Sequence, residues 1–190
     1  MSLKVPVGIS GRHLHLSQKD LDILFGEGHQ LTLKKELGQP GQFAAEEVVD
    51  IVSEKGSINK LRVLGPVRKE TQIEIALTDA IKLKLKPPVR ESGDLAGTPG
   101  ITIVGPKGKI TLDKGVIVAA RHIHMTPADA EKFGVKDKDC VKVRFGGDRG
   151  VIFENVIIRV REDFALEMHI DTDEGNAGQI ANDDLGEIIK

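Results

Sequence analysis

An arginine-led pair of histidines occurs twice in this chain, and any fold must accommodate both copies: Arg12-His13-Leu14-His15-Leu16-Ser17 near the start and Arg121-His122-Ile123-His124-Met125-Thr126 past the middle. Together they hold four of the six histidines. Each copy follows an apolar, Gly/Ala-containing run that reads as a β-strand: Val5-Pro6-Val7-Gly8-Ile9-Ser10-Gly11 and Val116-Ile117-Val118-Ala119-Ala120. Residues i and i+2 of a strand face the same side, so the two rings of each pair can close on one point, the geometry of chelation. A single pair is more often a half-exposed surface pair or a satisfied core histidine than a metal ligand. Duplication with shared flanks favours a ligand role. Both copies continue into Ser/Thr-x-x-Asp (Ser17 to Asp20, Thr126 to Asp129), an N-cap pattern that predicts short helices over 18–25 and 127–133, with Pro127 suited to the first helical position.

A chain of 190 residues with 39% apolar content can hold one medium or two small cores, and the internal repeat selects two. With six Phe and no Trp or Tyr, those cores must be built from Val, Ile and Leu, which suit strands. The balance of 27 basic against 29 acidic residues gives no global field for nucleic acid or acidic membranes. Cys140, the one cysteine, excludes an internal disulfide and every multi-Cys zinc site, and it reads as a buried structural thiol in a strand. No apolar run approaches membrane-span length, and Met1-Ser2-Leu3-Lys4-Val5 lacks the apolar region of a secretory signal, so a cytoplasmic protein is expected.

Glycine and proline break the stretch at about 26–46 into a small hairpin excursion. Strands are predicted over 47–52, 60–63, 71–77, 81–85, 101–104, 109–112, 140–145, 151–160 and 164–170, with a turn-rich loop over 87–100 and an irregular close over 171–184. Such short, closely spaced strands favour a barrel or sandwich over a parallel sheet with crossover helices. Lys82, Lys84 and Lys86, alternating with Leu83 and Leu85, read as a solvated strand face.

Gln72-Ile73-Glu74-Ile75 in the first half corresponds to Glu167-Met168-His169-Ile170 in the second, which pairs Glu74 with His169. Each half then offers three ligands, the pattern of a catalytic zinc site that keeps a position open. The plainer reading of Glu74 is a solvent-facing strand carboxylate. Arg68, six residues earlier on a turn-like segment, has the fork that binds phosphate or carboxylate, and otherwise reads as a surface arginine. His29 lies in a glycine-rich turn, without an expected partner, and is left out of the site.

The repeated motif, Leu64-Gly65-Pro66-Val67-Arg68-Lys69-Glu70-Thr71-Gln72-Ile73-Glu74, Pro88-Val89-Arg90-Glu91-Ser92-Gly93-Asp94-Leu95 and Met168-His169-Ile170-Asp171-Thr172-Asp173-Glu174-Gly175-Asn176 together resemble the PduL-type phosphate acyltransferases, also called phosphate propanoyltransferases or phosphotransacylases. The likeness spans almost the whole chain. It implies a mainly β fold with short helices: two pseudo-symmetric capped β-barrels, with two zinc ions in a cleft between them. A central barrel over 12–119 would carry the hairpin, and a C-terminal barrel over 120–190 would be completed by the exchanged strand 1–11. It implies His13, His15 and Glu74 on one zinc, which takes the sulfur of coenzyme A, and His122, His124 and His169 on the other. Arg68 matches the phosphate-binding arginine, and Ser10, Lys35, Arg62 and Asn176 match positions lining the coenzyme A site. The implied reaction is acyl-CoA plus phosphate giving acyl phosphate plus CoA, for propanoyl or acetyl groups. Microcompartment members carry a targeting extension, whereas this chain begins at its first strand, so a free cytoplasmic enzyme is expected. The oligomeric state is open, with room for a homo-oligomer.

Three rivals use similar ligands. A zinc-dependent hydrolase barrel of the (β/α)₈ kind needs ~200 residues or more and has no place for a second motif. A cupin-like metal protein would carry a Glu shortly after the pair, and neither copy does. A non-catalytic metal-binding protein is distinguished by whether coenzyme A binds.

Overall fold

The computed structural model describes residues 3–189; Met1 and Ser2, at the start of the expected first strand, and Lys190, at the end of the expected C-terminal barrel, lie outside the described residues. In chain order the first half runs β1 (Lys4–Ser10), β2 (His13–His15), α1 (Gln18–Phe25), β3 (Leu33–Glu36), β4 (Phe43–Val52), β5 (Ser57–Gly65), β6 (Gln72–Glu74), α2 (Leu77–Leu83) and β7 (Val89–Arg90). The second half runs β8 (Thr102–Val104), β9 (Lys109–Thr111), β10 (Val116–Ala119), β11 (His122–Met125), α3 (Pro127–Phe133), β12 (Cys140–Phe145), β13 (Val151–Val160), β14 (Glu167–Asp171), α4 (Thr172–Gly178) and β15 (Leu185–Ile189). The protein is mainly β with short helices, as its supply of branched aliphatic residues predicts. Among the described residues no helix is long and apolar enough to cross a membrane.

Two compact units divide the chain. The barrel unit takes the N-terminal segment through Ser10, Gly38–Pro40, and everything from Ala120 onward; the other takes Gly11–Leu37 and Gly41–Ala119. In the barrel unit six strands close in the order β1-β14-β11-β13-β12-β15. Its core is filled by Val5, Val7, Ile123, Met125, Val143, Val156, Ile158 and Met168. The second unit is a nine-stranded curled sheet, β7-β10-β6-β2-β5-β4-β8-β9 with β3 paired on β4, over Leu14, Leu16, Leu24, Ile51, Leu61, Ile73, Leu83 and Ile103. Each such side chain taken out of water contributes roughly 1.5–3 kcal/mol.

The two sheets share a four-strand arrangement. In one, β2 lies parallel to β5 and antiparallel to β6, and β6 is parallel to β10. In the other, β11 lies parallel to β13 and antiparallel to β14, and β14 is parallel to β1. The strand leading into each histidine pair therefore ladders in one unit while the pair itself ladders in the other.

Local chemistry explains the elements that fold as predicted. Ser17 caps α1 through the Asp20 amide, and Thr126 and Asp129 form a reciprocal capping box on α3, with Pro127 at its start and Gly134 closing it at φ 61°. β12 alternates strictly, with Val141, Val143 and Phe145 inward.

That alternation places Cys140 on the outside, so the thiol is exposed rather than buried. The strand predicted over 81–85 is instead the end of α2: Asp79, Ala80 and Leu83 share its buried face, and Lys84 closes it in the left-handed conformation at φ 56°. The Lys-Leu alternation is an accident of a helix end followed by a turn; Lys82, Lys84 and Lys86 are exposed, but not on a strand. The region over 171–184 contains α4, begun by an Asp171–Glu174 capping box, and β15 follows it. Its glycines disguise the helix. Gly175 and Gly178 sit where neighbours come close, since a Cβ there would meet Ile9 Cδ1 at 2.9 Å and Val151 Cγ1 at 2.8 Å.

Candidate metal centres and their arginine

In the curled-sheet unit the ladder sets His13 opposite Glu74 on one side and Arg62 on the other, and sets His15 opposite Gln72. Laterally paired residues share a face, so these side chains project together. The His13, His15 and Glu74 donor atoms all lie within 4.8 Å of one another. His13 Nδ1 lies 2.8 Å from the Gly11 carbonyl. A carbonyl only accepts, so Nδ1 carries the proton and Nε2 keeps its lone pair, 3.5 Å from Glu74 Oε2. The Glu74 side chain is only 12% exposed, which rules out a solvent-facing carboxylate.

A polar network holds that carboxylate. Gln72 Nε2 donates to Glu74 Oε1 at 2.6 Å and to Ser92 Oγ at 2.8 Å, while Gln72 Oε1 accepts the Gly93 N–H at 2.7 Å. Ser92 Oγ donates to Glu74 Oε1 at 3.2 Å and accepts from Arg68 at 2.8 Å, which ties the guanidinium to the carboxylate through one hydroxyl. The Arg68 N–H donates to Leu16 O at 2.9 Å, so backbone and side chain both anchor this residue at the cluster.

The barrel unit repeats the design. Its ladder sets His122 opposite His169 and His124 opposite Glu167. The His122, His124 and His169 donors lie within 4.8 Å of one another, and their ring centroids are 4.7–5.0 Å apart. His122 Nδ1 donates to Ala120 O at 2.8 Å, the same bond that His13 makes. Phe164 stacks on His124 at 4.1 Å. His169 Nε2 lies 3.1 Å from Glu167 Oε2, outside hydrogen-bonding geometry. The ring beside it nevertheless holds the Glu167 carboxyl below its usual range, against the effect of burial.

Burial, with Arg68 and His13 adding to it, pushes the His15 ring down to about 3. Burial followed by His122 and His169 pushes His124 down to about 2. Both rings are therefore neutral. Among the described residues, His15 Nδ1 and both ring nitrogens of His124 are buried without a hydrogen-bond partner. Such orphaned ring nitrogens are costly, and a cation shared by the neighbouring donors would take up one lone pair from each ring. Three imidazoles, or two with a carboxylate, fit a divalent transition metal with coordination positions left open.

The other residues singled out in the sequence stand in both units. Arg62 donates to Ala45 O and Glu46 O at 2.9 and 2.8 Å beside His13, and Lys35 is exposed on β3. Ser10 ends β1 in register with Asp171, and Asn176 is exposed on α4. His29 does have a partner: its Nε2 lies 2.8 Å from Glu47 Oε1 and its ring stacks on Phe25, a structural pairing at the base of the hairpin. Sequence reasoning passed over Gln72, Ser92, Gln39 and Glu167. The usable signal was position, since Gln72 and Glu167 each precede a predicted ligand by two residues on the same strand face.

Comparison with known proteins gives one answer. The family model for phosphate propanoyltransferase matches residues 6–181. A phosphate propanoyltransferase of Thermotoga maritima is 63% identical over 185 residues, covering 97% of this chain and 88% of the relative. Those of Rhodopseudomonas palustris and Priestia megaterium are 54% and 56% identical, covering 98% and 96% of this chain and 83% and 84% of the relatives.

Proposed function

This chain belongs to the phosphate propanoyltransferase family, and on that premise we propose that it transfers short acyl groups, propanoyl or acetyl, reversibly between coenzyme A and phosphate with two bound zinc ions. The observation that carries the metal reading is the repeated cluster: three donors within 4.8 Å in each unit, with His13 and His122 pinned as the same tautomer. His13, His15 and Glu74 would hold one ion, and His122, His124 and His169 the other. Bound there, zinc supplies stabilisation of a thiolate and polarisation of a carbonyl.

The chain's own groups position the reactants. Arg68, held by Ser92, offers a planar pair of N–H donors to phosphate and fixes which oxygen faces the thioester carbon. A phosphate oxygen forms the new C–O bond to that carbon and the C–S bond breaks, its electron pair leaving on sulfur. No covalent bond to the protein is needed. Gln72 and Ser92 keep Glu74 from turning toward the incoming anion. Lys35 and Arg62 bring positive charge suited to the phosphates of coenzyme A, and Ser10 and Asn176 add neutral hydrogen-bonding groups.

Phosphate-dependent release of thiol from acetyl-, propanoyl- and butanoyl-CoA tests the reading. Activity lost to a chelator and restored by zinc is the expected result; full activity in metal-free protein overturns it.

A further inference from the structure

The curled-sheet unit holds a cleft of about 650 Å³ lined by Arg12, Ser57, Ile58, Asn59, Lys60 and Lys82. None of these residues belongs to an imidazole cluster or to the network around Glu74. Ile58 turns inward, at 3% exposure, and the other five are exposed. Two acids of this unit are engaged beside the cleft. Asp79 takes one Arg12 nitrogen at 2.7 Å, and Asp50 accepts the backbone N–H of Lys60 at 2.8 Å. Among the described residues the ammonium groups of Lys60 and Lys82 have no carboxylate partner. The cleft therefore carries two uncompensated positive charges, with a serine hydroxyl and an asparagine amide beside them.

The duplicated fold supplies a control for these positions. Lys60 stands at φ 56° in β5, where the ladder with β4 slips so that Asn59 and Lys60 together oppose Asp50. In the barrel unit the same slip occurs in β13, where Glu154 and Asn155 oppose Lys142 and Asn155 stands at φ 56°. The bulge thus belongs to the fold. Its left-handed residue is not dictated in the same way. Asparagine tolerates that conformation and lysine does so poorly, so Lys60 is explained by its side chain and not by the backbone it must adopt. Counting outward from the two bulges, Ser57 and Asn59 correspond to Ile152 and Glu154. Counting along the two seven-residue helices, Lys82 corresponds to Ala177. The barrel unit therefore has an apolar residue, an acid paired to Lys142 at 2.6 Å, an asparagine and an alanine where the curled-sheet unit has four polar or cationic groups. The fold needs none of the four.

We infer that this cleft is a binding site for a small molecule carrying a chain of phosphates, held by Lys60, Lys82 and the outer nitrogens of Arg12, with Ser57 and Asn59 donating to its oxygens. A single oxyanion would leave most of the volume empty, whereas pockets of this size take ligands as large as a nucleotide. Lysine ammonium groups act as compact point charges toward phosphate oxygens, and the Arg12 fork, anchored by Asp79, is pre-oriented for the same partner. The site is separate from the acyl-transfer reading, because neither lysine takes part in it.

The test is titration of the isotope-labelled full chain, metal included, with ADP and with inorganic triphosphate, followed by the backbone amide resonances. Both probes are expected to shift Ser57, Asn59, Lys60 and Lys82 saturably, and more weakly as salt is raised. Tighter saturation by ADP identifies a nucleotide as the ligand, and equal or tighter saturation by triphosphate identifies the phosphate chain alone. Lys60→Asn with Lys82→Ala installs the residues that the barrel unit already carries and should weaken binding roughly tenfold or more. Its thermal unfolding should be unchanged or raised, since asparagine suits the bulge better. Where the double variant does not fold, Lys82→Ala alone, at an exposed helix position, gives the same readout to a smaller extent. Shifts at these four amides that stay linear into the millimolar range overturn the proposal, as does wild-type affinity in the double variant.

Discussion

His13 and His122 are each held by a carbonyl two residues back, and this one bond turns a flexible ring into an oriented lone pair. His15 and His124 are set differently, by burial, and that has a consequence in acid. The folded rings refuse a proton until about pH 3 and 2, whereas an unfolded histidine takes one near 6.5. The unfolded chain therefore binds more protons below 6.5, and the metal-free fold loses stability as pH falls from there. The loss is about 1.4 kcal/mol per pH unit for each ring. Urea unfolding in chelator at pH 7.5 and 5.5 measures it, and His124→Gln should show the shallower dependence. Arg68→Ala should raise the phosphate KM at least tenfold with a smaller change for acyl-CoA, and Arg68→Lys should restore it only in part because the fork is lost. An unchanged phosphate saturation curve would remove Arg68 from the site. At this scale the shared direction of His13 and His15 was legible from strand alternation. The supporting Ser92 and Gln39 were not, because their role exists only once distant loops meet the strands. The exposure of Cys140 was legible in principle, since its neighbours Val141 and Val143 claim the inward face.

The arginine before each histidine pair acts on a helix. Arg12 reaches Asp79 at 2.7 Å and Arg121 reaches Glu174 at 3.2 Å, and both acids occupy the third position of the helix that follows β6 or β14. The repeated arginine therefore fixes α2 or α4 against its sheet. Burial pushes the Glu174 carboxyl up to about 7, so its charge depends on Arg121 and on the Asp171 N–H. Arg121→Met should cost about 1–3 kcal/mol by leaving that carboxylate half-buried without its cation, and adding Glu174→Gln should recover a large part, measured by denaturant unfolding. No recovery in the double variant would show that the arginine acts by packing alone. Helices α1 and α3 and strands β12 and β13 were legible to their ends because caps and alternation are local. Helix α2 was not, because its exposed apolar residues Leu77 and Ile81 blur the helical period. Nor was α4, whose capping box is plain in Asp171 and Glu174 but whose glycines argue against a helix until their close neighbours are seen.

Across the whole molecule, β1 supplies the connection between β14 and β15 that closes the barrel, and β10 ladders beside β6 in the other sheet. Deleting the segment through Ser10 should open the barrel and expose Val143, Met168 and their neighbours. Limited proteolysis would then cut within 120–190 while wild type resists; equal resistance would mean that the remaining strands close without it. The chain by itself determined its elements of period two, two of its helix starts, a two-core aliphatic interior and the duplicated imidazole pairs, since these depend on neighbours in sequence. Only the tertiary structure decided that Glu74 stands across from His13, that His169 stands across from His122, and that Gln39 reaches Glu167. Those pairings join residues far apart in the chain. They are chosen by which strands bury their apolar faces together, a choice no local pattern encodes.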